Sequence, residues 1–141
     1  MLVRLIYASR SVTPVTQSLS DEILQAARRY NPEHGITGIL CFNDSIFVQA
    51  LEGSREKVNE LYVRIARDER HRDLILLEYS EITERKYPSW SMARVKLDKV
   101  NLSVILKRST GTTLDPYSMP GCATAALLEE LAATAIFNGR D

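Results

Sequence analysis

The stretch GITGILCFNDSIFVQAL, residues 35–51, contains two apolar runs that flank the dipeptide Asn43-Asp44. Asparagine and aspartate favour turns because their side chains hydrogen-bond to the nearby backbone. The runs on either side are rich in β-branched and aromatic residues and have the length of ordinary strands. The stretch therefore predicts an antiparallel hairpin, with strands over residues 35–42 and 45–51.

Elements on both sides of this hairpin extend the pattern to βαββαββ. Further strands are predicted over residues 2–9, 74–82 and 91–97. A first helix is predicted to begin at a Ser20 cap and to stop at Asn31, because Pro32 disfavours helical geometry in the residue before it. A second helix opens at Gly53-Ser54, and its apolar stripe comprises Val58, Leu61, Tyr62 and Ile65. This order predicts a ferredoxin-like α+β fold, in which two helices cover one face of an antiparallel sheet.

The strands are apolar on both faces, so the second face of the sheet must also be covered. Helical patterns in the tail, over residues 100–107 and 122–137, supply a cap for it. The apolar side of the last helix comprises Leu128, Leu131, Ala132, Ala135 and Ile136. We therefore expect a domain over residues 1–97 and a helical extension over residues 98–141 that packs on the sheet.

Composition narrows the classes of function. Lys and Arg total 18, as do Asp and Glu, so the formal net charge is zero. This balance argues against general attraction to nucleic acid or to anionic membranes. The two cysteines, Cys41 and Cys122, lack the spacing of a metal site, and Cys41 is expected to be a small buried hydrophobe. No segment approaches the roughly 18 apolar residues that span a bilayer. We expect a cytoplasmic protein without a metal site.

Polar side chains inside apolar strands are the candidate site residues. Gln49 lies within an apolar run, and Tyr7 lies near the middle of the first strand. A buried amide needs partners, so Gln49 pairs either with backbone groups or with a tyrosine. Asn31 is either a helix-end residue or a ligand contact. Trp90 and Met92, two apart on the predicted fifth strand, share a face and are either core residues or cofactor contacts.

In the ferredoxin-like order, the first and third strands are neighbours at the centre of the sheet. Tyr7 and Gln49 can then face each other beneath the helices, with Asn31 on the same side. A hydroxyl and two amides that converge in an apolar slot can bind the polar edge of a flat heterocycle.

Five successive motifs of this chain resemble those of BLUF domains, which sense blue light through a bound flavin. They are Arg4-Leu5-Ile6-Tyr7-Ala8-Ser9, Asn31-Pro32 with Gly35 to Leu40, Phe47 to Gly53, Asp68-Glu69-Arg70-His71 and Trp90-Ser91-Met92. The resemblance covers roughly residues 2–97. The tail is similar, more loosely, to that of short stand-alone BLUF proteins.

The resemblance implies a cofactor and roles for individual residues. The cofactor is a flavin, usually FAD, with FMN or riboflavin as alternatives. Tyr7 would donate an electron and a proton to the excited flavin, and Gln49 would rearrange its amide between Tyr7 and the ring. Asn31 would bind the pyrimidine edge. By the same resemblance, Ile23 and Ile65 would sandwich the ring, Arg64 would contact the cofactor, and Trp90 and Met92 would exchange places as the signal leaves.

The resemblance also implies a signalling module that acts on a protein partner, forms homo-oligomers and is not an enzyme. An acylphosphatase-like hydrolase is the first alternative, because the fold also hosts such enzymes. However, the turn after the first strand, Ala8-Ser9-Arg10-Ser11, lacks a glycine-rich anion cradle. The two histidines do not favour catalysis: His34 is expected in a loop and His71 on a solvated surface. An RNA-binding module is the second alternative, but the strands lack exposed aromatics beside basic residues.

Overall fold

The protein forms one five-stranded sheet with helices on both faces. A computed structural model describes residues 1–97 and 102–135. The first helices and strands are β1 (Leu2–Ser11), α1 (Gln17–Glu33), β2 (Thr37–Phe42), β3 (Ile46–Ser54) and α2 (Arg55–Ala66). They are followed by β4 (His71–Glu81), β5 (Ala93–Lys96), α3 (Leu102–Leu106), a short 3-10 turn (Pro116–Ser118) and α4 (Gly121–Ala135).

The sheet has the strand order β4-β1-β3-β2-β5, so β1 and β3 are the central pair. This order confirms the predicted ferredoxin-like fold. The predicted hairpin is also present: β2 and β3 pair antiparallel, and Oδ1 of Asn43 accepts from the backbone N–H groups of Ser45 and Ile46 at 2.9 and 2.8 Å. The expectation of a wholly antiparallel sheet was wrong, because β5 pairs parallel to β2. The chain crosses the sheet between β4 and β5 and enters β5 from the same end as β2.

Both faces of the sheet are buried, as the apolar strands predicted. Under α1 and α2 lies a core cluster that includes Val3, Leu5, Tyr7, Leu40, Phe47, Leu51 and Val58. On the opposite face the tail packs against Ile6, Ala8, Ile39, Cys41 and Val48, through residues that include Leu127, Leu128, Leu131 and Ala132. The predicted helical cap is therefore present. The predictions for Val100, Ile136 and Phe137, and for the side chain of Ala135, lie outside the described residues.

Two glycines allow close approaches that a side chain would block. A Cβ on Gly38 would lie 2.0 Å from the carbonyl oxygen of Ala50, across the hairpin. A Cβ on Gly121 would lie 2.1 Å from the carbonyl oxygen of Leu77. The second contact brings the start of α4 directly against β4, so the position of the cap depends on a glycine at this point.

The predicted bounds of α1 were wrong at both ends. The helix begins at Gln17, where Oγ1 of Thr16 accepts from the backbone N–H of Leu19 at 3.1 Å. Ser20 is therefore a buried residue inside the helix. The helix also continues through Pro32 to Glu33. Packing of Asn31 against the chain before β5 outweighs the unfavourable effect of the following proline, which acts only within the last turn.

No helix among the described residues is long and apolar enough to cross a membrane.

Candidate functional site

A tyrosine and a glutamine meet at the centre of the sheet, on the face that the two long helices cover. Tyr7 and Gln49 are register partners on β1 and β3, and both side chains are buried. The hydroxyl of Tyr7 donates to Oε1 of Gln49 at 2.6 Å. Burial raises the pKa of Tyr7 far above its ordinary value, and the nearby Tyr62 and Asp68 raise it further. Tyr7 therefore remains a protonated donor at physiological pH.

The amide nitrogen of Gln49 bonds to Met92 on the other side. Nε2 of Gln49 lies 3.4 Å from Sδ of Met92, which is fully buried in the cluster beneath the helices. The three side chains form a chain of donors and acceptors from the Tyr7 hydroxyl to the Met92 sulfur. A thioether sulfur only accepts, and accepts weakly, so the Gln49 amide is held firmly on the tyrosine side and loosely on the methionine side.

Trp90 lies on the opposite side of the sheet from Met92, contrary to the prediction that the two share a face. Strand β5 begins only at Ala93, so both residues belong to the irregular connection before it. Without strand geometry, alternate residues have no common direction. Trp90 is partly buried against the cap-side cluster, and its ring stacks on Tyr87 with centroids 6.3 Å apart. In this structure Met92 is the one that contacts Gln49.

Asn31 joins the same site from the last turn of α1. Its Nδ2 donates to the backbone carbonyl of Ser91 at 2.7 Å. Its Oδ1 is buried and has no hydrogen-bond partner among the described residues. A buried amide oxygen without a partner costs free energy, on the order of 1–3 kcal/mol. Asn31 lines a cavity, so a ligand there that donates a hydrogen bond to Oδ1 would remove this cost.

That cavity, of about 220 Å³, lies between α1, α2 and the sheet. It brings together Tyr7, Gln49, Asn31, Ile23, Ile65 and Arg64, all predicted from the sequence. The other lining residues are Ala26, Ala27, Tyr30, Leu40, Phe47, Leu61, Asp68, Arg70 and His71. Pockets for whole drug-sized ligands span about 300–1,000 Å³, so this one suits a flat ring rather than a complete dinucleotide.

Arg64 is placed at the cavity by an aromatic contact. Its guanidinium group lies over the ring of Tyr30, 4.5 Å from the centroid. This cation–π contact holds a positive charge beside an otherwise mainly apolar space. Ile23 and Ile65 project from α1 and α2 respectively and are both half-buried.

The acidic and basic residues after α2 were missed as lining residues. Nε and Nη2 of Arg70 contact Oδ1 and Oδ2 of Asp68 at 3.0 and 2.6 Å, and this pairing lowers the pKa of Asp68. The prediction that His71 is a solvated surface residue was wrong. Its ring nitrogens lie 2.8 Å from Oγ of Ser9 and 2.6 Å from the carbonyl oxygen of Ile65, so the imidazole ties α2 to β1. The Asp68-Glu69-Arg70-His71 motif was the signal that could have indicated these residues.

The donors and acceptors of the cavity fit a flavin. An isoalloxazine ring has flat apolar faces and a polar edge with both carbonyl oxygens and an N–H group. The half-buried isoleucines offer apolar surface, Oδ1 of Asn31 offers an acceptor, and the Gln49 amide offers an exchangeable donor and acceptor.

Comparison with known proteins agrees with this fit. The model of the family "BLUF: Sensors of blue-light using FAD" matches residues 2–93. The chain belongs to the BLUF family. The matched range includes all eight residues of the predicted site, and the cofactor of this family is FAD.

Curated relatives carry the same region within longer chains. The protein is 37% identical over 92 residues to the photoactivated adenylate cyclase subunit beta of Euglena gracilis, which covers 64% of this chain and 11% of the relative. It is 42% identical over 79 residues to the blue light- and temperature-regulated antirepressor BluF of Escherichia coli (strain K12), which covers 55% of this chain and 19% of the relative. The match thus spans about a tenth to a fifth of these relatives.

Solved structures of BLUF proteins match over nearly the whole length. The photo-activated state of BlsA superposes with a TM-score of 0.83 at 33% identity, over 93% of this chain and 94% of that one. The dark state of BlrB, described as a BLUF protein, gives 0.75 at 32% identity, over 95% and 96%. The similarity therefore extends past the family motifs and into the helical tail.

Proposed function

We propose that this chain is a blue-light sensor that binds FAD non-covalently, with the flavin ring in the cavity between α1, α2 and the sheet. The observation that carries the proposal is the buried chain from Tyr7 through Gln49 to Met92, beside the unpartnered Oδ1 of Asn31. When bound, the flavin supplies absorption of blue light and an excited state that accepts an electron.

Tyr7 is the electron and proton donor in this proposal. Its raised pKa keeps the hydroxyl protonated in the dark, and its hydrogen bond gives the proton a direct route to Gln49. No other tyrosine lines the cavity with a hydrogen bond to the Gln49 amide among the described residues.

Gln49 is the switch because its two amide ends can exchange roles. In this structure Oε1 faces the Tyr7 hydroxyl and Nε2 faces the Met92 sulfur. Turning the amide, or moving its proton to the enol-like tautomer, changes which end meets each neighbour. After a turn, the carbonyl oxygen would face the sulfur, and neither atom can donate. Met92 must then move or lose its contact, which couples the amide to the chain before β5.

Asn31, Ile23, Ile65 and Arg64 are the proposed cofactor-binding residues, together with Gln49. Asn31 offers Oδ1 to a ring N–H group, and the two isoleucines offer apolar contact to the ring faces. Arg64 supplies a positive charge at the side of α2.

We place the photosensory domain at residues 1–97 and propose that residues 98–141 relay its state.

The output we propose is a change in protein–protein contact rather than catalysis. Trp90 and Met92 lie on the two sides of the sheet, so movement of their connection reaches both the site and the cap. We propose a protein partner, and a homo-oligomer in which the exposed apolar side chains of β4, Ile75, Leu76 and Tyr79, are buried. Sedimentation of one unchanging monomer in both dark and light would refute the oligomer.

Two unpaired thiols fit a reducing, cytoplasmic location.

The absorption spectrum of the purified protein, in darkness and then under blue light, tests the function. We expect a flavin spectrum that shifts slightly to longer wavelength and recovers in darkness. Gln49→Leu should abolish the shift, whereas Gln25→Leu, a matched change at an exposed position of α1, should leave it intact. A protein that stays colourless after reconstitution with FAD would refute the proposal. Turnover of acetyl phosphate or an RNA gel shift would then favour the hydrolase or RNA-binding alternatives.

A further inference from the structure

Hydrogen bonds from Gly38 and from the site residue Asn31 hold the second half of the connection between β4 and β5. Residues 82–92 are irregular and cross the sheet from one edge to the other, because β4 and β5 are the two edge strands. The N–H of Gly38 donates to the carbonyl of Trp90 at 3.0 Å, and Asn31 bonds to Ser91. The position of Met92 against Gln49 thus depends on how firmly this irregular segment is held.

A buried carboxylate holds the first half of the β4–β5 connection. Glu52 is completely buried on β3, on the face opposite Gln49. Its Oε2 accepts from Nε of Arg4 at 2.8 Å and from the backbone N–H of Lys86 at 2.9 Å, and it pairs with Nη2 of Arg4 at 2.8 Å. Its Oε1 accepts from the backbone N–H of Tyr87 at 2.8 Å.

This arrangement needs both the charge and the length of the glutamate. Arg4 is the register partner of Glu52 on β1, so the two charges neutralise each other inside the protein. A buried carboxylate without such a cation would be strongly unfavourable. With the guanidinium on one side, both oxygens remain directed at the two consecutive N–H groups. Hydrogen bonds to a charged acceptor are stronger than those to a neutral one, so the anchor is firm.

We propose that Glu52 is a positioning residue for the light switch. Its carboxylate fixes Tyr87, the stacked ring of Trp90 moves with Tyr87, and the same connection then places Met92 against the Gln49 amide. Glu52 acts through the connection and lies outside the flavin cavity. The optical consequence of this role rests on the proposed function, but the anchoring itself does not.

Hydrogen exchange of individual amides in Glu52→Gln tests the anchor directly. The neutral amide leaves Arg4 without its counter-ion and weakens the bonds to the two N–H groups. We expect the amides of Lys86 and Tyr87 to exchange about tenfold to a hundredfold faster, given the strength of charged hydrogen bonds. The amide of Trp90 should also exchange faster. Trp90 is the single tryptophan, so quenching of its fluorescence by acrylamide reports the same loosening.

Glu129→Gln is the matched control. Glu129 also pairs with Lys86, with its carboxylate 2.7 Å from Nζ, but both side chains of that pair are exposed, at 42% for Lys86 and 45% for Glu129. An exposed pair contributes little, so exchange at residues 86–90 should stay at the wild-type rate. If Glu52→Gln does not fold, Glu52→Asp provides the test: it keeps the charge, loses the reach to the two N–H groups, and should raise exchange at Lys86 and Tyr87 severalfold.

The optical measurement separates this inference from the proposed function. Loosening the connection should speed the dark recovery of the light-induced shift about tenfold in Glu52→Gln, with flavin content unchanged. Wild-type exchange at Lys86 and Tyr87, or faster exchange there without any change at Trp90, would overturn the positioning role. A colourless wild-type protein with the predicted amide changes would refute the proposed function and leave the anchor standing.

Discussion

Replacing Tyr7 by phenylalanine removes a single hydroxyl oxygen from the centre of the site. Only 4% of Tyr7 is exposed, and phenylalanine keeps the packing of the ring. The change breaks the 2.6 Å hydrogen bond and leaves Oε1 of Gln49 buried without its donor. An unpaired buried acceptor costs about 1–3 kcal/mol, so the free energy of unfolding should fall by that amount.

Two assays measure the consequences of Tyr7→Phe. Urea unfolding of the flavin-free protein, followed by circular dichroism, gives the free energy, and absorption of the FAD-loaded protein before and after blue light gives the spectral shift. We expect the free energy to fall as estimated and the shift to disappear. Tyr62→Phe is the control: its ring lies 5.7 Å from that of Tyr7, but Tyr62 is only partly buried and does not bond to Gln49. A Tyr7→Phe protein with the full shift, or with unchanged stability, would refute the reasoning.

Three further predictions concern binding, pH and packing. Asn31→Ala removes the acceptor at the cavity and should weaken FAD binding about fivefold to a hundredfold, measured by fluorescence titration. Unchanged affinity would exclude a hydrogen bond from the flavin to Oδ1. Burial raises the pKa of the Cys41 thiol, so above pH 9 this thiol ionises only in the unfolded state. The free energy of unfolding, measured with urea, should therefore fall by about 1–2 kcal/mol between pH 9 and pH 10. A free energy that does not change with pH over this range would contradict the prediction. Gly38→Ala should cost about 1–3 kcal/mol in the same assay because its Cβ meets the Ala50 carbonyl, whereas Gly111→Ala, with open space around it, should cost little.

Much of the fold followed from local pattern. The apolar runs around Asn43-Asp44 predicted the β2–β3 hairpin, and the absence of clean alternation predicted that both faces of the sheet are covered. These inferences succeed because strand periodicity and turn chemistry are properties of a few neighbouring residues. The polar residues Tyr7 and Gln49 were conspicuous for the same reason, since each interrupts an apolar strand.

Properties that depend on contacts between distant segments were missed or predicted wrongly. Pro32 indicated the end of α1, but packing of Asn31 against Ser91 keeps the helix intact through the proline. His71 stood in a charged run, yet its partly buried ring bridges Ser9 and Ile65. The parallel pairing of β5 with β2 was equally invisible, because it depends on how the chain crosses the sheet.

The sequence by itself determined the order and approximate positions of the strands and helices, which faces are apolar, and which polar side chains lie where a core should be. Only the tertiary structure decided how these groups meet: that Met92 rather than Trp90 contacts Gln49, and that Arg4 and Glu52 neutralise each other beneath the β4–β5 connection. Local backbone preference and hydrophobic period act over a few residues. Charge pairing and side-chain orientation in an irregular segment depend on residues more than forty positions apart, which come together only when the sheet is assembled.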